Sequence, residues 1–311
     1  MAEATKVEIH TASVTQEIRA PKARVWGAVS EPLKMARWLC DGAHLDLRPG
    51  GRYDFWGKTV YGSSDREGSH NPIVGYDPEE RVAFEWNFVT RGGVSTRSRV
   101  NLHVDPGPAP EFTRIGVEHE IEFPRPSLAM SFREVWAMAF NHLLFDLEGW
   151  GPGLRYDFTR RARGVVEHSI RARAPVSRCF QAIGTSGGIA ATFTSVRRFE
   201  PAQGGAIDFG WPPEFGGPTR VLVYDPPRRL AYNWPSRDGD REHEGRVMWS
   251  LLPRGLETEI VLRQDGFPDD FKLEGEDMGW AGILNEVKKS VESQRPSTYL
   301  ASRLDGEILG Y

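Results

Sequence analysis

The sequence has few cysteines and no long apolar run. Two cysteines, Cys40 and Cys179, occur among its 311 residues. They lie at non-equivalent places in the two halves of the chain, so we expect no disulfide framework, and the composition suits a reducing cytoplasm. No uninterrupted apolar segment approaches the ~18 residues of a membrane span, and the N-terminus lacks the apolar core of a signal peptide. These absences predict a cytoplasmic protein without membrane insertion.

An excess of positive charge is also missing. The net charge is −4 and the pI is about 6.1, which gives no basic surface for nucleic acid. The eight histidines are scattered without HxH, HExxH or paired CxxC spacing. No GxSxG, P-loop or strand-linked GxGxxG is present. We therefore expect no metal and no cofactor, and no motif assigns a catalytic residue.

What the chain does contain is a duplication. Ala20-Pro21 returns as Ala174-Pro175, and Gly50-Gly51 returns as Gly204-Gly205 at the same spacing. Later matches are Tyr76-Asp77-Pro78 with Tyr224-Asp225-Pro226, Trp86 with Trp234, and Trp136-Ala137 with Trp280-Ala281. A repeat of this length is a domain duplication rather than a solenoid period.

Each copy predicts the same order of elements. An alternating strand precedes two short helices, which Pro32 separates in the first copy. About six antiparallel strands follow, and a long helix ends each copy at roughly 127–148 and 269–292. The predicted fold class is α+β, with each curved antiparallel sheet wrapped around its long C-terminal helix. The expected domains are 1–150 and 165–295, with a linker at 151–164 and a tail at 296–311.

This order resembles the SRPBCC or helix-grip superfamily. The resemblance is carried by the segments APKARVWGA, ARWL, RPGGRYDF and DPEERVAFEW and by the late Trp136-Ala137. Within the superfamily the chain is similar to the group named after the C-terminal domain of the activator of the heat-shock-protein-90 ATPase. START lipid-transfer domains and birch-pollen-allergen-like carriers share the fold, and tandem copies occur in polyketide aromatase/cyclases and in proteins of enediyne clusters. The resemblance implies a fold and a pocket, but no catalytic residues.

The second copy departs from these motifs. It has a glycine-rich stretch, 184–189, where the first copy has SEPLKM, and we expect this helical region to be weaker. Gln264 stands where the first copy has His119. The differences predict one better-formed cavity and one altered copy.

Large aromatic rings either fill a core or line a cavity. As candidate ligand-binding residues we take Trp38, Tyr53, Phe55, Trp86, His119, Trp136, Phe140, Phe193, Phe209, Trp211, Trp234, Trp249, Gln264 and Trp280. His119 lies in phase with the apolar residues of its strand, which fits either a core histidine with satisfied hydrogen bonds or a polar contact in a pocket. It is also a weak candidate for proton transfer.

Three functions compete. The first is the binding, carriage or sequestration of a hydrophobic, aromatic small molecule, within one domain or between the two. The second is an aromatase/cyclase-like enzyme that acts on a polyketide-type substrate, although the chain has ARWL where such enzymes carry WPxF. The third, an interaction module like a cochaperone, rests on the name of the similar group. The sequence does not set the ligand or the oligomeric state.

Overall fold

The fold is described here from a computed structural model. It describes residues 8–66, 69–90, 92–124, 127–211, 217–238 and 241–293. The chain divides into two compact units between Thr159 and Arg160. The predicted tail, 296–311, lies outside the described residues, and the predicted domain boundaries on either side of the linker stay predictions.

The first unit follows the predicted order of elements. Pro21 has an extended backbone (φ −61°) and precedes the first helix, and Pro32 opens the second helix at the first position, where proline is favoured. The elements are β1 (Glu8–Ile18), α1 (Lys22–Ser30), α2 (Pro32–Met35), β2 (Gly42–Asp46), β3 (Arg52–Trp56), β4 (Ile73–Asp77), β5 (Arg81–Glu85), β6 (Phe88–Val89), β7 (Ser95–Thr96), β8 (Ser98–Pro106), β9 (Thr113–Phe123) and α3 (Ser127–Glu148).

An antiparallel sheet with the strand order β1-β9-β8-β5-β4 forms the body of this unit. In β8, buried residues alternate with exposed or half-buried ones, as expected of a sheet with one covered face. The helix α3 packs against β1 and β9, and its apolar side chains close the core between helix and sheet.

The second unit repeats this architecture. Its main sheet has the matching order β10-β16-β15-β14-β13. The elements are β10 (Val166–Ala172), α4 (Val176–Gly184), α5 (Ser186–Thr192), β11 (Arg198–Phe199), β12 (Ile207–Asp208), β13 (Val221–Asp225), β14 (Arg229–Asp238), β15 (Arg241–Arg254), β16 (Glu257–Asp265) and α6 (Glu274–Ser293). The predicted α+β fold with two tandem helix-grip domains is confirmed.

Strand register fixes which residues of the two copies correspond. His119 pairs with Val100 across β8 and β9, and Gln264 pairs with Val247 across β15 and β16. His119 and Gln264 therefore occupy the same place. The duplication also keeps hydrogen bonds: Thr113 Oγ1 donates to the carbonyl of Ala20 (2.6 Å), and the equivalent bond joins Thr258 to Ala174 (2.7 Å).

Two features of the second copy concern its helices. The glycine-rich stretch, where we expected a weaker helical region, contributes to α5, which spans seven residues where α2 spans four. The hydroxyl of Thr185 accepts the amide N–H of Gly188 at 3.0 Å, and this cap offsets the low helix propensity of glycine. The long helix α6 begins at Glu274 rather than near Asp269.

Candidate functional site

The aromatic candidates of the first unit lie together between the sheet and α3. All seven side chains are at most 2% exposed: Trp38, Tyr53, Phe55, Trp86, His119, Trp136 and Phe140. Their rings contact one another directly; for example, Phe55 lies 5.0 Å from Trp86 between centroids, and Trp86 lies 6.0 Å from Trp136. The sequence pattern thus identified a continuous aromatic interior.

A cavity of about 30 Å³ lies within this interior. Measured as the space open to the centre of a water-sized sphere, one water molecule needs about 10–15 Å³, so the cavity has room for little more than water. Four of the predicted residues line it, namely Trp38, Phe55, Trp86 and Trp136. Tyr53, His119 and Phe140 are not among its lining residues. The lining residues that sequence reasoning missed include Thr59, Tyr61, His142, Tyr156 and Phe158.

Two of the missed residues belong to a segment that we call the strap, residues 154–158. Its Tyr156 and Phe158 line the cavity, and the Phe158 ring contacts Tyr61 edge to face at 5.7 Å. The amide N–H of Phe158 donates to the carbonyl of Lys58 at 2.7 Å. The strap lies within the stretch that the sequence predicted as a linker, where two aromatic residues among glycines, prolines and arginines were the available signal.

Arg155 holds the strap in place. Its guanidinium donates to the carbonyls of Ala36 (3.2 Å) and Cys40 (2.6 Å) and to the hydroxyl of Thr59 (2.7 Å). His142 on α3 contacts the carbonyl of Leu154 through Nε2 at 2.9 Å. One arginine therefore ties the strap to the segment after α2 and to the loop that follows β3.

His119 has a partner on each ring nitrogen. The indole of Trp136, which is a donor only, lies 3.2 Å from Nδ1. Nδ1 is therefore the acceptor, and the ring proton on Nε2 faces the hydroxyl of Ser98 at 2.8 Å. Ser98 in turn donates to the backbone carbonyl of Trp86. The histidine is a link in a chain of hydrogen bonds, stacked on the Trp86 ring at 5.4 Å.

Burial keeps this histidine neutral. Because the charged imidazolium would lose its hydration, burial lowers the pKa of His119 to about 3. Burial likewise lowers the pKa of His142 to about 4, against a smaller opposing effect from its hydrogen bond to Leu154. At neutral pH both side chains are therefore uncharged, and the cavity wall carries no positive imidazolium.

The polar ends of Trp38 and Tyr53 are also occupied. The indole N–H of Trp38 donates to the carbonyl of Ala28 at 2.9 Å, and the hydroxyl of Tyr53 donates to the carbonyl of Val29 at 2.5 Å. Burial raises the pKa of Tyr53 well above its usual range. These two hydrogen bonds hold α1 against the aromatic interior, and Trp38 presents only apolar atoms to the cavity.

The candidates of the second unit form a similar cluster. Six of them are at most 5% exposed: Phe193, Phe209, Trp234, Trp249, Gln264 and Trp280. Trp211 is half-buried and donates its indole N–H to the hydroxyl of Thr194 at 2.7 Å. Trp280 donates to Oε1 of Gln264 at 2.5 Å, which repeats the bond between Trp136 and His119.

Metal sites and membrane-spanning helices can be judged for the part of the chain that the structure describes. Within it, no group of three His, Cys, Asp or Glu residues is arranged to hold a metal ion. Among the same residues, no helix combines the length and the hydropathy of a membrane span. Cys40 and Cys179 are buried free thiols, and burial raises the pKa of Cys40 to about 12.

Comparison with known proteins identifies the same unit twice. The family model described as Activator of Hsp90 ATPase homolog 1-like protein matches residues 19–144 and again residues 173–292. No significant match was found among curated proteins.

Several solved structures are similar to this chain, with low sequence identities and low TM-scores. DynU16, a protein of the dynemicin biosynthetic locus, is 18% identical, with 91% of this chain and 98% of that chain covered and a TM-score of 0.36. CalU16 from Micromonospora echinospora is 22% identical, with coverages of 45% and 84% and a TM-score of 0.33. The Aha1 dimer from Colwellia psychrerythraea is 17% identical, with coverages of 42% and 98% and a TM-score of 0.37.

Proposed function

The chain belongs to the Activator of Hsp90 ATPase homolog 1-like family, and from this premise we propose that its first unit binds a flat, apolar aromatic molecule. The proposal rests on one observation: a cavity sits among the buried aromatic rings and is bordered by the strap. Rings with apolar faces and occupied polar ends suit a ligand held by stacking and by exclusion of water.

The size of the cavity determines how such a ligand would enter. At about 30 Å³ it is far smaller than the roughly 300–1,000 Å³ of pockets for drug-sized ligands. The rings of Tyr156 and Phe158 stand at its border on a segment without regular secondary structure. We expect the ligand to displace these two rings and to take over the contact of Phe158 with Tyr61.

Binding is favoured over proton transfer at His119. Both of its nitrogens are engaged, and its pKa is lowered to about 3, whereas an efficient general base has a pKa near the working pH. The aromatase/cyclase-like alternative requires this histidine to leave Ser98 and Trp136. Under that alternative, His119→Ala should abolish turnover of a polyketide substrate and leave binding intact.

A pair of variants with opposite effects tests the binding proposal. Met138 and Ala139 both line the cavity and are 4% and 7% exposed. Met138→Ala enlarges the cavity and Ala139→Leu fills it. The probe is naphthalene, and the measurement is the rise in melting temperature with ligand concentration, which follows the affinity.

We expect naphthalene to raise the melting temperature of the native chain. The rise should be larger in Met138→Ala and absent in Ala139→Leu, with each variant compared with itself without ligand. Equal rises in all three proteins would show that naphthalene binds elsewhere and would refute the proposed site.

A further inference from the structure

A buried side-chain amide in the second unit has one atom without a hydrogen-bond partner. Gln264 is fully buried, and its Oε1 accepts the indole N–H of Trp280. Its Nε2 is buried without a hydrogen-bond partner. Buried donors are nearly always bonded in folded proteins, so an orphaned amide between the sheet and α6 requires an explanation.

The strand register explains why Nε2 of Gln264 lacks the hydroxyl partner that His119 has. Ser98 and Gly245 each stand two residues before the valine that pairs with His119 or Gln264. Ser98 therefore corresponds to Gly245, and the hydroxyl that bonds His119 in the first unit has no counterpart. A Cβ at Gly245 would lie 2.1 Å from Cζ of Phe267. The ring of Phe267 thus covers the place of the missing hydroxyl with carbon.

A second difference between the two copies lies on the long helix, at the residue four positions before Trp136 or Trp280. Phe132 stands four residues before Trp136, and its ring lies 4.5 Å from His119. Glu276 stands four residues before Trp280, at the same place on the long helix. It is half-buried, and desolvation raises the pKa of its carboxyl. An apolar ring is thus replaced by an acidic group, which disfavours an anionic ligand.

Aromatic rings complete the surroundings of the amide. Trp234 lies 5.2 Å from Trp280 between centroids and meets it at 64°, and Trp249 lies 6.1 Å from Trp280. Phe267 offers no polar group to Nε2, and Glu276 is the polar side chain at the place that Phe132 has beside His119. A ligand with one acceptor atom and an apolar body would satisfy the amide and stack on these rings.

We infer that the second unit binds a neutral aromatic molecule whose carbonyl oxygen accepts a hydrogen bond from Nε2 of Gln264. This site lies in the other unit from the cavity of the proposed function, so each can fail without the other. This hydrogen bond makes the second unit select ligands that carry a carbonyl group. A ligand of the same shape without the carbonyl leaves Nε2 of Gln264 unpaired.

The test compares two ligands of nearly equal shape on the full chain. The probes are 2-acetylnaphthalene, which has the acceptor, and 2-ethylnaphthalene, which lacks it. We expect the ketone to bind the second unit about tenfold more tightly or better, since one buried hydrogen bond of about 1.4 kcal/mol corresponds to that factor. The side-chain amide resonances of Gln264 should shift with the ketone only.

Variants of the two copies separate this site from the first. Gln264→Met keeps the volume and removes the amide, so the preference for the ketone should fall to about onefold. His119→Gln places an amide where Ser98 supplies a partner, and that amide should not respond. Equal affinity of the second unit for both probes, or Gln264 resonances unmoved by the ketone, would overturn the inference even if Gln264→Met does not fold.

Discussion

The indole nitrogen of Trp136 lies 3.2 Å from Nδ1 of His119 and donates its proton to it. Trp280 makes the same bond to Gln264 in the second copy. Trp136 and Trp280 are equivalent donors in the two copies, but one donates to a histidine and the other to a glutamine. The difference lies on the far side of each acceptor: His119 continues the chain of bonds to Ser98, and Gln264 ends it.

The buried His119 should make stability depend on pH. Its pKa is about 3 in the folded chain and about 6.5 when unfolded. As the pH falls below about 6.5 the unfolded chain takes up the proton first, so stability is lost progressively until about pH 3. At pH 5 the loss should be about 2 kcal/mol.

The variant His119→Gln should remove this part of the pH dependence. The side-chain oxygen of the new glutamine can accept the hydrogen bond from Trp136, and its NH₂ group can donate to Ser98, so both neighbours of His119 keep a partner. Urea unfolding at pH 7 and pH 5 is the measurement, and His44→Gln, at an exposed site, is the matched control. If His119→Gln loses as much stability between pH 7 and pH 5 as the native chain does, His119 takes up its proton in the folded state as readily as in the unfolded state.

Removal of the Arg155 guanidinium should loosen the strap. Arg155→Met leaves the carbonyls of Ala36 and Cys40 without this donor. The expected loss of stability is about 2 kcal/mol. Exchange of the Phe158 amide hydrogen, bonded to Lys58, should become faster. Arg161→Met, at a residue bonded to the adjacent carbonyl, should leave that exchange unchanged; a similar acceleration in both variants would contradict an anchoring role.

The second unit contains a buried contact between the ring of His168 and the carboxyl group of Asp277. Nε2 of His168 lies 2.7 Å from Oδ1 of Asp277, with side chains 5% and 0% exposed. His168→Val leaves the carboxylate buried beside Arg160, 3.6 Å away. We expect a loss of about 1–3 kcal/mol, because a buried polar group loses a neighbouring partner.

A double-mutant cycle isolates the coupling within that pair. His168→Val with Asp277→Leu should be less destabilised than the sum of the single variants, by about 2 kcal/mol. The same cycle on Arg254 and Glu259, an ion pair with a half-exposed arginine at 2.7 Å, should give under about 1 kcal/mol. Additive losses at His168 and Asp277 would show that the two groups do not stabilise each other.

The equivalent threonines of the two copies, Thr113 and Thr258, should contribute equally to stability. Thr113 and Thr258 are each 1% exposed and donate to the carbonyls of Ala20 and Ala174. Substitution of either by Val leaves one buried carbonyl without that donor, and each change should cost about 1–2 kcal/mol in chemical denaturation. A loss at one position alone would indicate that the two copies do not share this interaction in solution.

Much of the candidate site could be predicted from the period of the sequence. Phe84 and Trp86 alternate with Glu85, and this alternation places the two rings on the covered face of the sheet and the carboxylate in solvent. The strap could not be predicted in this way, because Tyr156 and Phe158 lie in a stretch without regular secondary structure. Their burial depends on Arg155 reaching the carbonyls of Ala36 and Cys40, which lie more than a hundred residues away in sequence.

The sequence by itself determined the duplication, the order of the elements and the burial of the aromatic residues, because these follow from repeat spacing and from local alternation of apolar side chains. Tertiary structure alone decided which polar atoms find partners. The loss of one hydroxyl at Gly245 leaves Nε2 of Gln264 unpaired, since strand register sets which side chains face one another across a sheet. The physical difference between the two copies therefore lies in contacts between strands, beyond the range of any local pattern.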